Sequence, residues 1–284
     1  MTIVENIRAM REIIQDWKHQ NDTVGFVPTM GFLHEGHLSL IRKARKQNDK
    51  VVVSIFVNPT QFGPNEDFEN YPRNMVIDAQ KCDKEGVDLI FAPCTKEMYP
   101  DPTYAFVDID QLGNSLCGAT RPGHFRGVCT VVSKLFNIVM PDRAYFGEKD
   151  AQQLVIIQKM VYDLNIPVQI VPCPIVREKD GLAMSSRNST LSTQERIAAR
   201  VLSQSLEHSK YLMMQGETNA SVIRSQMKEK IQLEPLATVE YIEIVDAQTL
   251  TPIENVQGDV LIALAVYIGN TRLIDNYRRH LEAT

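Results

Sequence analysis

The sequence predicts an α/β fold in which a doubly wound, Rossmann-like parallel sheet precedes a smaller C-terminal α+β domain. Short apolar runs without strict alternation recur along the first part of the chain, and segments of helical length separate most of them. Strands that are buried on both faces by crossover helices have this continuous apolar character. We therefore expect a nucleotide- and substrate-binding domain over residues 1–176 and the α+β domain over residues 177–284.

Hydrophobic periodicity predicts the elements of the first domain in order. An amphipathic helix opens the chain, with an apolar face formed by Ile7, Met10, Ile13, Ile14 and Trp17. Apolar runs then predict strands at 24–27, 51–57, 87–91 and 168–171. Helical patterns fall between most of these strands, at 38–47, 75–85 and 131–139. This alternation is typical of a parallel sheet covered by helices.

The pattern changes after about Val176. Helices are predicted at roughly 193–215 and 220–232, and Ser192 with Glu195 forms a capping box at the start of the first of them. Two runs that alternate or are apolar then predict antiparallel strands at 239–245 and 260–268. This order of elements predicts the smaller α+β domain.

Composition restricts the class of protein. The chain has 284 residues, is 44% hydrophobic and carries a formal net charge of −5, with no apolar run long enough to span a bilayer. Because it is mildly acidic and lacks a basic stripe, we expect no nucleic-acid partner and no membrane. Five cysteines show no Cys-x-x-Cys pair, and no signal peptide is evident, so we expect the cytoplasm.

Two histidines flank a glycine immediately after the first long apolar run. The segment His34–His37 reads His-Glu-Gly-His, so a strand, a turn and a helix start are predicted to present both imidazoles. Unpaired N–H groups and the dipole at a helix N-terminus favour phosphate, and a glycine lets the backbone approach it closely. A zinc site is disfavoured because metalloprotease helices place their histidines four residues apart and no cysteine lies near.

Two other polar segments fit phosphate binding less specifically. Gly147–Asp150 follows an aromatic strand end, and its Lys149 supplies a mobile positive charge. Met184–Arg187 offers two hydroxyls and a guanidinium after Lys179-Asp180-Gly181. Each segment alone is more typical of a solvated turn or helix start, so a phosphate-binding role depends on the other motifs in the chain.

Several motifs in order identify a family resemblance. They are the segments 28–38, 54–62, 66–67, 71–73, 121–128, 145–153 and 183–188. The histidine segment resembles the HxGH signature of the nucleotidylyltransferase superfamily, and Met184–Arg187 is similar to its KMSKS-type loop. Taken together, the chain resembles the pantoate–β-alanine ligase family from its first residues to about Asp275-Asn276. The chain departs from the family pattern at two positions. Phe32 stands where a smaller residue is usual, and Ala151 stands where a bulkier aromatic residue is common.

The resemblance implies roles for individual residues. His37 would be the catalytic histidine near the α-phosphate of ATP. Phosphate contacts with a catalytic effect are expected from His34, Lys149 and Arg187. The expected ATP-binding residues are Met30, Gly31, His34, Gly36, His37, Gly147, Glu148, Lys149, Asp150, Val176, Met184, Ser185, Ser186 and Arg187. Gln61 and Gln153 would hold pantoate, and their neutral amides can bind its hydroxyls without repelling its carboxylate.

The implied reaction is the ATP-dependent condensation of pantoate with β-alanine. A carboxylate is a poor electrophile, so its oxygen would first attack the α-phosphate to give an acyl adenylate and pyrophosphate, and the amine would then displace AMP. The histidines, Lys149, Arg187 and Mg²⁺ would offset the charge that develops on phosphate. The resemblance also implies a homodimer. The order of domains predicts a nucleotide held between them, and the sequence assigns no protein ligand to Mg²⁺, Asp78 included.

Two other functions remain open at this stage. A nucleotidylyltransferase that acts on a phosphorylated small molecule would require a cationic pocket in place of Gln61 and Gln153. A regulatory nucleotide-binding module without activity would be expected to have lost His37, Lys149 or Arg187, all of which are present.

Overall fold

The protein is described by a computed structural model that covers residues 1–64, 66–100 and 102–279. Within it the chain forms two compact units. The first consists of Met1–Asn114, Gly118–Glu148 and Ile156–Pro174, and the second consists of Ser115–Cys117, Lys149–Val155 and Ile175–Thr284.

The first unit is built on a six-stranded parallel sheet with the spatial order β1-β4-β3-β2-β5-β6. Its strands are β1 Thr2–Val4, β2 Val24–Thr29, β3 Lys50–Ile55, β4 Leu89–Phe91, β5 Arg143–Gly147 and β6 Gln169–Cys173. Phe26 on β2 pairs with Val52 of β3 on one side and with Ala144 of β5 on the other. Because successive strands are added in opposite directions on the two sides of β2, the β2–β5 junction is the topological switch point of the sheet.

Seven helices accompany this sheet along the described part of the chain. They are α1 Ile7–His19, α2 Glu35–Gln47, α3 Met75–Lys84, α4 Thr95–Met98, α5 Leu116–Thr120, α6 His124–Val139 and α7 Ala151–Asp163. Short 3₁₀ helices occupy Pro59–Gln61, Leu112–Asn114 and Glu148–Asp150. The apolar faces of the helices and the central strands form a core in which Val27, Ile41 and Ile90 are fully buried, and this burial is what stabilises the sheet.

The second unit contains the antiparallel sheet. Its helices are α8 Thr193–Ala198, α9 Val201–Met214 and α10 Ala220–Gln232, and its strands are β7 Ala237–Asp246, β8 Val260–Ile268 and β9 Thr271–Arg279 in the order β7-β8-β9. The central strand β8 is buried at every position except Tyr267. It packs with Leu202 of α9 and Ile223 of α10 in one apolar core.

The predicted fold class is confirmed, and the differences have local causes. Two strands, β1 and β9, were not predicted, because β1 has three residues and β9 interrupts its apolar positions with polar ones. The helix predicted at 193–215 is divided into α8 and α9. The Ser192–Glu195 capping box is present at the start of α8. No helix among the described residues has the length and apolar character needed to cross a membrane.

Candidate active site

The predicted ligand segments of the first unit follow the carboxyl ends of neighbouring strands. The His34–His37 segment follows β2, the 3₁₀ helix Pro59–Gln61 follows β3, and Glu148 follows β5. Open α/β sheets bind ligands at this edge, beside the switch point. The topology therefore brings Met30, Gly31, His34, Gly36, His37, Gly147, Glu148 and Gln61 to one edge of one sheet.

A tight turn between β2 and α2 sets the position of the histidines. Gly31 and Phe32 both have left-handed backbone conformations, with φ of 83° and 50°. This conformation costs a non-glycine residue energy, so Phe32 needs support from its surroundings. Asp78 provides it, since one carboxylate oxygen accepts the N–H of Phe32 at 2.7 Å and the other accepts the N–H of Leu33 at 2.7 Å.

Asp78 is a site residue that sequence reasoning missed. Its side chain is 1% exposed and reaches the turn from α3, whose N-terminus is capped by Asn74. A buried carboxylate is costly unless hydrogen bonds satisfy it, and two backbone donors do so here. The 46 residues between Phe32 and Asp78 explain why no local pattern indicated the contact.

The two histidines cap α2 reciprocally. His34 is the N-cap residue, and its Nδ1 accepts the backbone N–H of Gly36 at 3.1 Å. The Nδ1 of His37 accepts the backbone N–H of His34 at 3.2 Å. In a neutral imidazole only one nitrogen carries the proton, so both rings place it on Nε2. The cap therefore orients two Nε2–H donors and leaves the ring centroids 4.0 Å apart.

Gln61 lies in the 3₁₀ helix that follows β3, where neighbouring side chains hold its amide. Asn58, 1% exposed, donates from Nδ2 to Oε1 of Gln61 at 3.0 Å and to the carbonyl of Gly127 at 3.2 Å. The Nε2 of Gln61 donates to the sulfur of Met30 at 3.3 Å. These contacts place two predicted binding residues, Met30 and Gln61, side by side.

Helix α6 approaches this segment closely and requires a glycine to do so. A Cβ atom added at Gly127 would lie 2.3 Å from the carbonyl oxygen of Thr60, well inside van der Waals contact. A close backbone approach of this kind is one of the specific uses of glycine. Gly127 belongs to the predicted 121–128 motif, so the structure gives that motif a packing function.

The same motif also holds the backbone of Gln61. The Nδ1 of His124 lies 2.8 Å from the carbonyl oxygen of Gln61, and Arg121 donates to that oxygen at 3.4 Å. Arg121 also pairs with Glu66 at 2.5 Å. Burial alone would raise the pKa of the Glu66 carboxyl, but the hydrogen bond and charge of Arg121 outweigh burial and lower the pKa below its ordinary value.

In the second unit, Lys149 and Asp150 end the 3₁₀ helix Glu148–Asp150, immediately before α7. The side chain of Lys149 is half-buried, and its Nζ lies 3.9 Å from Oδ1 of Asp150, which is exposed. Gln153 is half-buried on α7. Its neighbour Gln152 is buried and structural, since it accepts the N–H of Cys117 at 2.9 Å and donates to the carbonyl of Ser115 at 2.7 Å.

The other segment of the second unit is a hairpin followed by a 3₁₀ helix. The N–H of Met184 donates to the carbonyl of Val176 at 3.0 Å, which brings these two predicted ATP-binding residues together. Ser185 caps the 3₁₀ helix Ser186–Thr190, and its hydroxyl accepts the N–H of Arg187 at 3.3 Å. Ser186 is buried.

A charged network joins this hairpin to α8. Arg196 donates to both carboxylate oxygens of Glu178 at 2.7 Å, and Asn188 donates to one of them at 2.8 Å. The hydrogen bond from Arg196 is the main reason that the pKa of Glu178 lies below its ordinary value. Asn188 also donates to the carbonyl of Ala183 at 3.1 Å, so it links the residues on the two sides of the Met184–Arg187 segment.

Cysteine chemistry is disfavoured by burial. Cys129, which follows the 121–128 motif, is buried, and burial raises the pKa of its thiol to about 12. Burial likewise raises the pKa of Cys82 to about 12 and that of Cys173 to about 11. A thiol with so high a pKa is a poor nucleophile at neutral pH. These three cysteines are therefore core residues.

Fold and site together define a Rossmann-like α/β protein whose ligand edge carries a histidine-capped helix. Comparison with known proteins identifies the family within this class. The family model for pantoate–β-alanine ligase matches residues 2–278. The chain belongs to the pantoate–β-alanine ligase family, and it is a ligase that condenses pantoate with β-alanine.

Relatives and solved structures agree over the whole chain. A pantothenate synthetase from Clostridium botulinum (strain Langeland) is 55% identical over 277 residues, which cover 98% of this chain and 99% of the relative. One from Caldicellulosiruptor saccharolyticus is 56% identical over 276 residues, covering 97% and 98%. The crystal structure of pantothenate synthetase from Thermus thermophilus matches with a TM-score of 0.93 and 43% identity, over 98% of this chain and 99% of that one.

A further solved structure contains ligands. The pantoate–β-alanine ligase from Francisella tularensis was crystallised with β-γ ATP and β-alanine. It matches with a TM-score of 0.79 and 38% identity, over 98% of this chain and 97% of that one.

Proposed function

We propose that this ligase uses ATP and proceeds through a pantoyl adenylate. A carboxylate oxygen of pantoate attacks the α-phosphorus, the bond from that phosphorus to the α,β-bridging oxygen breaks, and pyrophosphate leaves with the bonding electrons. The amine of β-alanine then attacks the acyl carbon, and AMP leaves as the carbon–oxygen bond breaks. The ATP and β-alanine bound by the Francisella relative support these two substrates for this chain.

The histidine cap is the observation that carries this proposal. Because both Nδ1 atoms accept backbone N–H groups, both rings carry their proton on Nε2, and the cap fixes the direction of each Nε2–H. Negative charge grows on the α-phosphate oxygens during the attack, and preorganised donors stabilise that charge. We assign His37 as the catalytic donor and His34 as a second phosphate donor. The remaining residues assigned to the ATP site at this sheet edge are Met30, Gly31, Gly36, Gly147 and Glu148.

Gln61 and Gln153 are proposed to bind pantoate. Asn58 donates to Oε1 of Gln61 and the Nε2 amide of Gln61 donates to the sulfur of Met30, so we assign this amide nitrogen as the group that donates to pantoate. A neutral amide donor can bind a hydroxyl or a carboxylate oxygen without adding charge. The thioether of Met30 gives the methyl groups of pantoate an apolar neighbour.

Residues of the second unit are assigned to the nucleotide on their chemistry. Lys149, Ser185, Ser186 and Arg187 would serve the phosphates, while Asp150, Val176 and Met184 would complete the ATP-binding set. We propose residues 1–176 as the nucleotide- and pantoate-binding domain and residues 177–284 as the domain that carries the Met-Ser-Ser-Arg loop. The compact second unit differs from this division, since it also includes Lys149–Val155 and begins its main segment at Ile175. A cytoplasmic homodimer completes the proposal.

Mg²⁺ is expected to accompany ATP. Among residues 1–64, 66–100 and 102–279, no three His, Cys, Asp or Glu side chains are grouped as a protein metal site requires. Asp78 already accepts two backbone N–H groups.

The test is pantoate-dependent exchange of labelled pyrophosphate into ATP. The enzyme is incubated with ATP, Mg²⁺ and pantoate but without β-alanine, and β-alanine is then added while AMP is measured. Exchange before the addition and AMP release only after it are expected. ATP consumption that requires both substrates from the outset, with no exchange, would instead indicate a concerted reaction. Transfer of AMP to a phosphorylated acceptor would favour the nucleotidylyltransferase alternative.

A further inference from the structure

Strand β9 carries a buried polar pair beside the apolar central strand β8. Asp275 is 2% exposed and Asn276 is 5% exposed. In the β8–β9 ladder, Asp275 pairs with Leu264 and Asn276 pairs with Ala263, so both are in register with apolar residues of the central strand. Buried polar side chains are costly unless they are hydrogen-bonded, so the partners of this pair indicate its purpose.

The carboxylate of Asp275 binds Arg177. The two carboxylate oxygens accept from the two terminal nitrogens of Arg177 at 2.7 and 2.9 Å. Arg177 also donates to the carbonyl of Gly181 at 3.1 Å and forms a β-bridge with Ala183. Asp275 therefore anchors the base of the hairpin that leads directly into the Met184–Arg187 segment.

The amide of Asn276 binds the main chain of Lys149. Its Nδ2 donates to the carbonyl oxygen of Lys149 at 2.8 Å, while its backbone N–H donates to Oδ1 of Asp275 at 2.8 Å. The two residues are thus joined to each other and to two different segments. Both of those segments, Lys149 and the Met184–Arg187 loop, are proposed phosphate-binding elements of the second unit.

We infer that Asp275 and Asn276 are positioning residues for ATP, which act by holding Lys149 and the phosphate loop in one rigid arrangement. The inference rests on the proposed function of Lys149 and Arg187. Charged groups that stabilise a transition state must be placed precisely, because a displacement of about 1 Å can reduce the rate about 100-fold. A rigid strand gives more precise placement than a loop does.

The decisive experiment is a double-mutant cycle between Asn276 and Lys149. Asn276→Leu keeps the number and branching of the side-chain heavy atoms and removes the donor, and Asn276→Ala is measured in parallel as a smaller replacement. Each is made in the natural protein and in Lys149→Ala, and the readouts are the rate of pantoate-dependent pyrophosphate exchange, the KM for ATP and the unfolding free energy. We expect Asn276→Leu to reduce exchange by about 10- to 100-fold.

The inference requires that this loss disappear when Lys149 is absent. In the Lys149→Ala background, removing the Asn276 amide should change the exchange rate less than about twofold, since residues that act through one another are not additive. Independent, multiplicative losses would overturn the inference while leaving the role of Lys149 intact. Normal exchange in Lys149→Ala alone would overturn the proposed function of Lys149 and the inference with it.

Arg278, on the same strand, supplies the matched control. Its Nε donates to Asp259 at 3.0 Å, and Asp259 belongs to neither phosphate-binding segment. Arg278→Gln therefore removes a charged interaction from β9 without removing a contact to Lys149 or to the Met184–Arg187 loop. Arg278→Gln should therefore reduce stability without a comparable change in exchange. Asp275→Asn should behave like the Asn276 variants and raise the KM for ATP. An equal loss of exchange in Arg278→Gln would show that β9 acts only through overall stability.

Discussion

The Nδ1 atom of His37 accepts the backbone N–H of His34 at 3.2 Å, and this single contact links the stability of α2 to the chemistry of the site. His37 is the third residue of α2, and in a capping box the side chain at that position, usually Glu or Gln, accepts the backbone N–H of the N-cap residue. A histidine in this position satisfies the same N–H and turns its other ring nitrogen into a directed donor. The HxGH spacing is therefore both a capping pattern and, in the proposed reaction, a catalytic one.

Replacing His37 by alanine should reduce the rate much more than the stability. Loss of the hydrogen bond from the His34 N–H should cost about 1 kcal/mol of unfolding free energy. Loss of an oriented donor to transition-state charge should reduce pantoate-dependent pyrophosphate exchange about 100-fold or more. Urea unfolding and the exchange assay measure the two effects separately.

The N-cap of α1 provides the control for His37→Ala. Asn6 accepts the N–H of Ala9 at 2.8 Å, so Asn6→Ala removes a comparable cap from the same unit. It should lower the unfolding free energy to a similar degree and leave the exchange rate unchanged. If His37→Ala turned over at the natural rate, the catalytic assignment of His37 would be wrong.

Replacing Asp78 by asparagine should damage the site through the turn. The amide nitrogen of asparagine would face one of the two N–H donors of Phe32 and Leu33 instead of accepting it. Loss of one charge-assisted hydrogen bond should cost about 2 kcal/mol of unfolding free energy. Because the turn precedes the histidine cap, the exchange rate should fall as well.

Asp88 tests whether that rate loss is specific. It accepts the N–H of Val51 at 2.7 Å and pairs with Arg45 at 2.7 Å, near the amino ends of the strands. Asp88→Asn should destabilise the same sheet without slowing exchange. A similar loss of exchange in both variants would mean that Asp78 has no special relation to the site.

Elements with a local sequence pattern were predicted, whereas an element that depends on a distant partner was not. The strand Val260–Ile268 was predicted to the residue, because a long apolar run between turns is a local pattern. Strand β9 was missed, because Asp275 and Asn276 occupy buried positions where the pattern requires apolar residues. A buried polar residue can be recognised only when its partner is known, and Arg177 is distant in the chain.

The site residues show the same difference between local patterns and specific contacts. Met30, Gln61 and the two histidines lie in segments that directly follow strands, so their common edge could be predicted from the order of elements. The hydrogen bonds that hold them could not. Asn58 and His124 reach Gln61 through contacts that no periodicity encodes, even though both lie in recognised motifs.

Replacing Gln61 by alanine should weaken pantoate binding and leave ATP binding nearly intact. Loss of a substrate hydrogen bond costs about 1 to 2 kcal/mol, so the KM for pantoate should rise about five- to 30-fold. Steady-state kinetics with each substrate varied in turn measures this split. Gln169→Ala, an exposed glutamine on β6, should change neither constant. An increase in the KM for ATP alone would mean that Gln61 does not lie in the pantoate site.

The ion pair between Glu178 and Arg196 should make stability depend on pH on the acidic side. Because the hydrogen bond from Arg196 lowers the pKa of Glu178 in the folded protein, the folded state binds a proton there less readily than the unfolded state does. The contribution is complete above the ordinary glutamate pKa of about 4.3 and is lost as the pH falls through the lower folded value. Glu178→Gln should therefore lower the unfolding free energy at neutral pH and lose less stability than the natural protein on acidification. Urea unfolding of both proteins at about pH 7 and about pH 3 measures the difference. Parallel pH profiles for the two proteins would show that this pair contributes nothing to acid sensitivity.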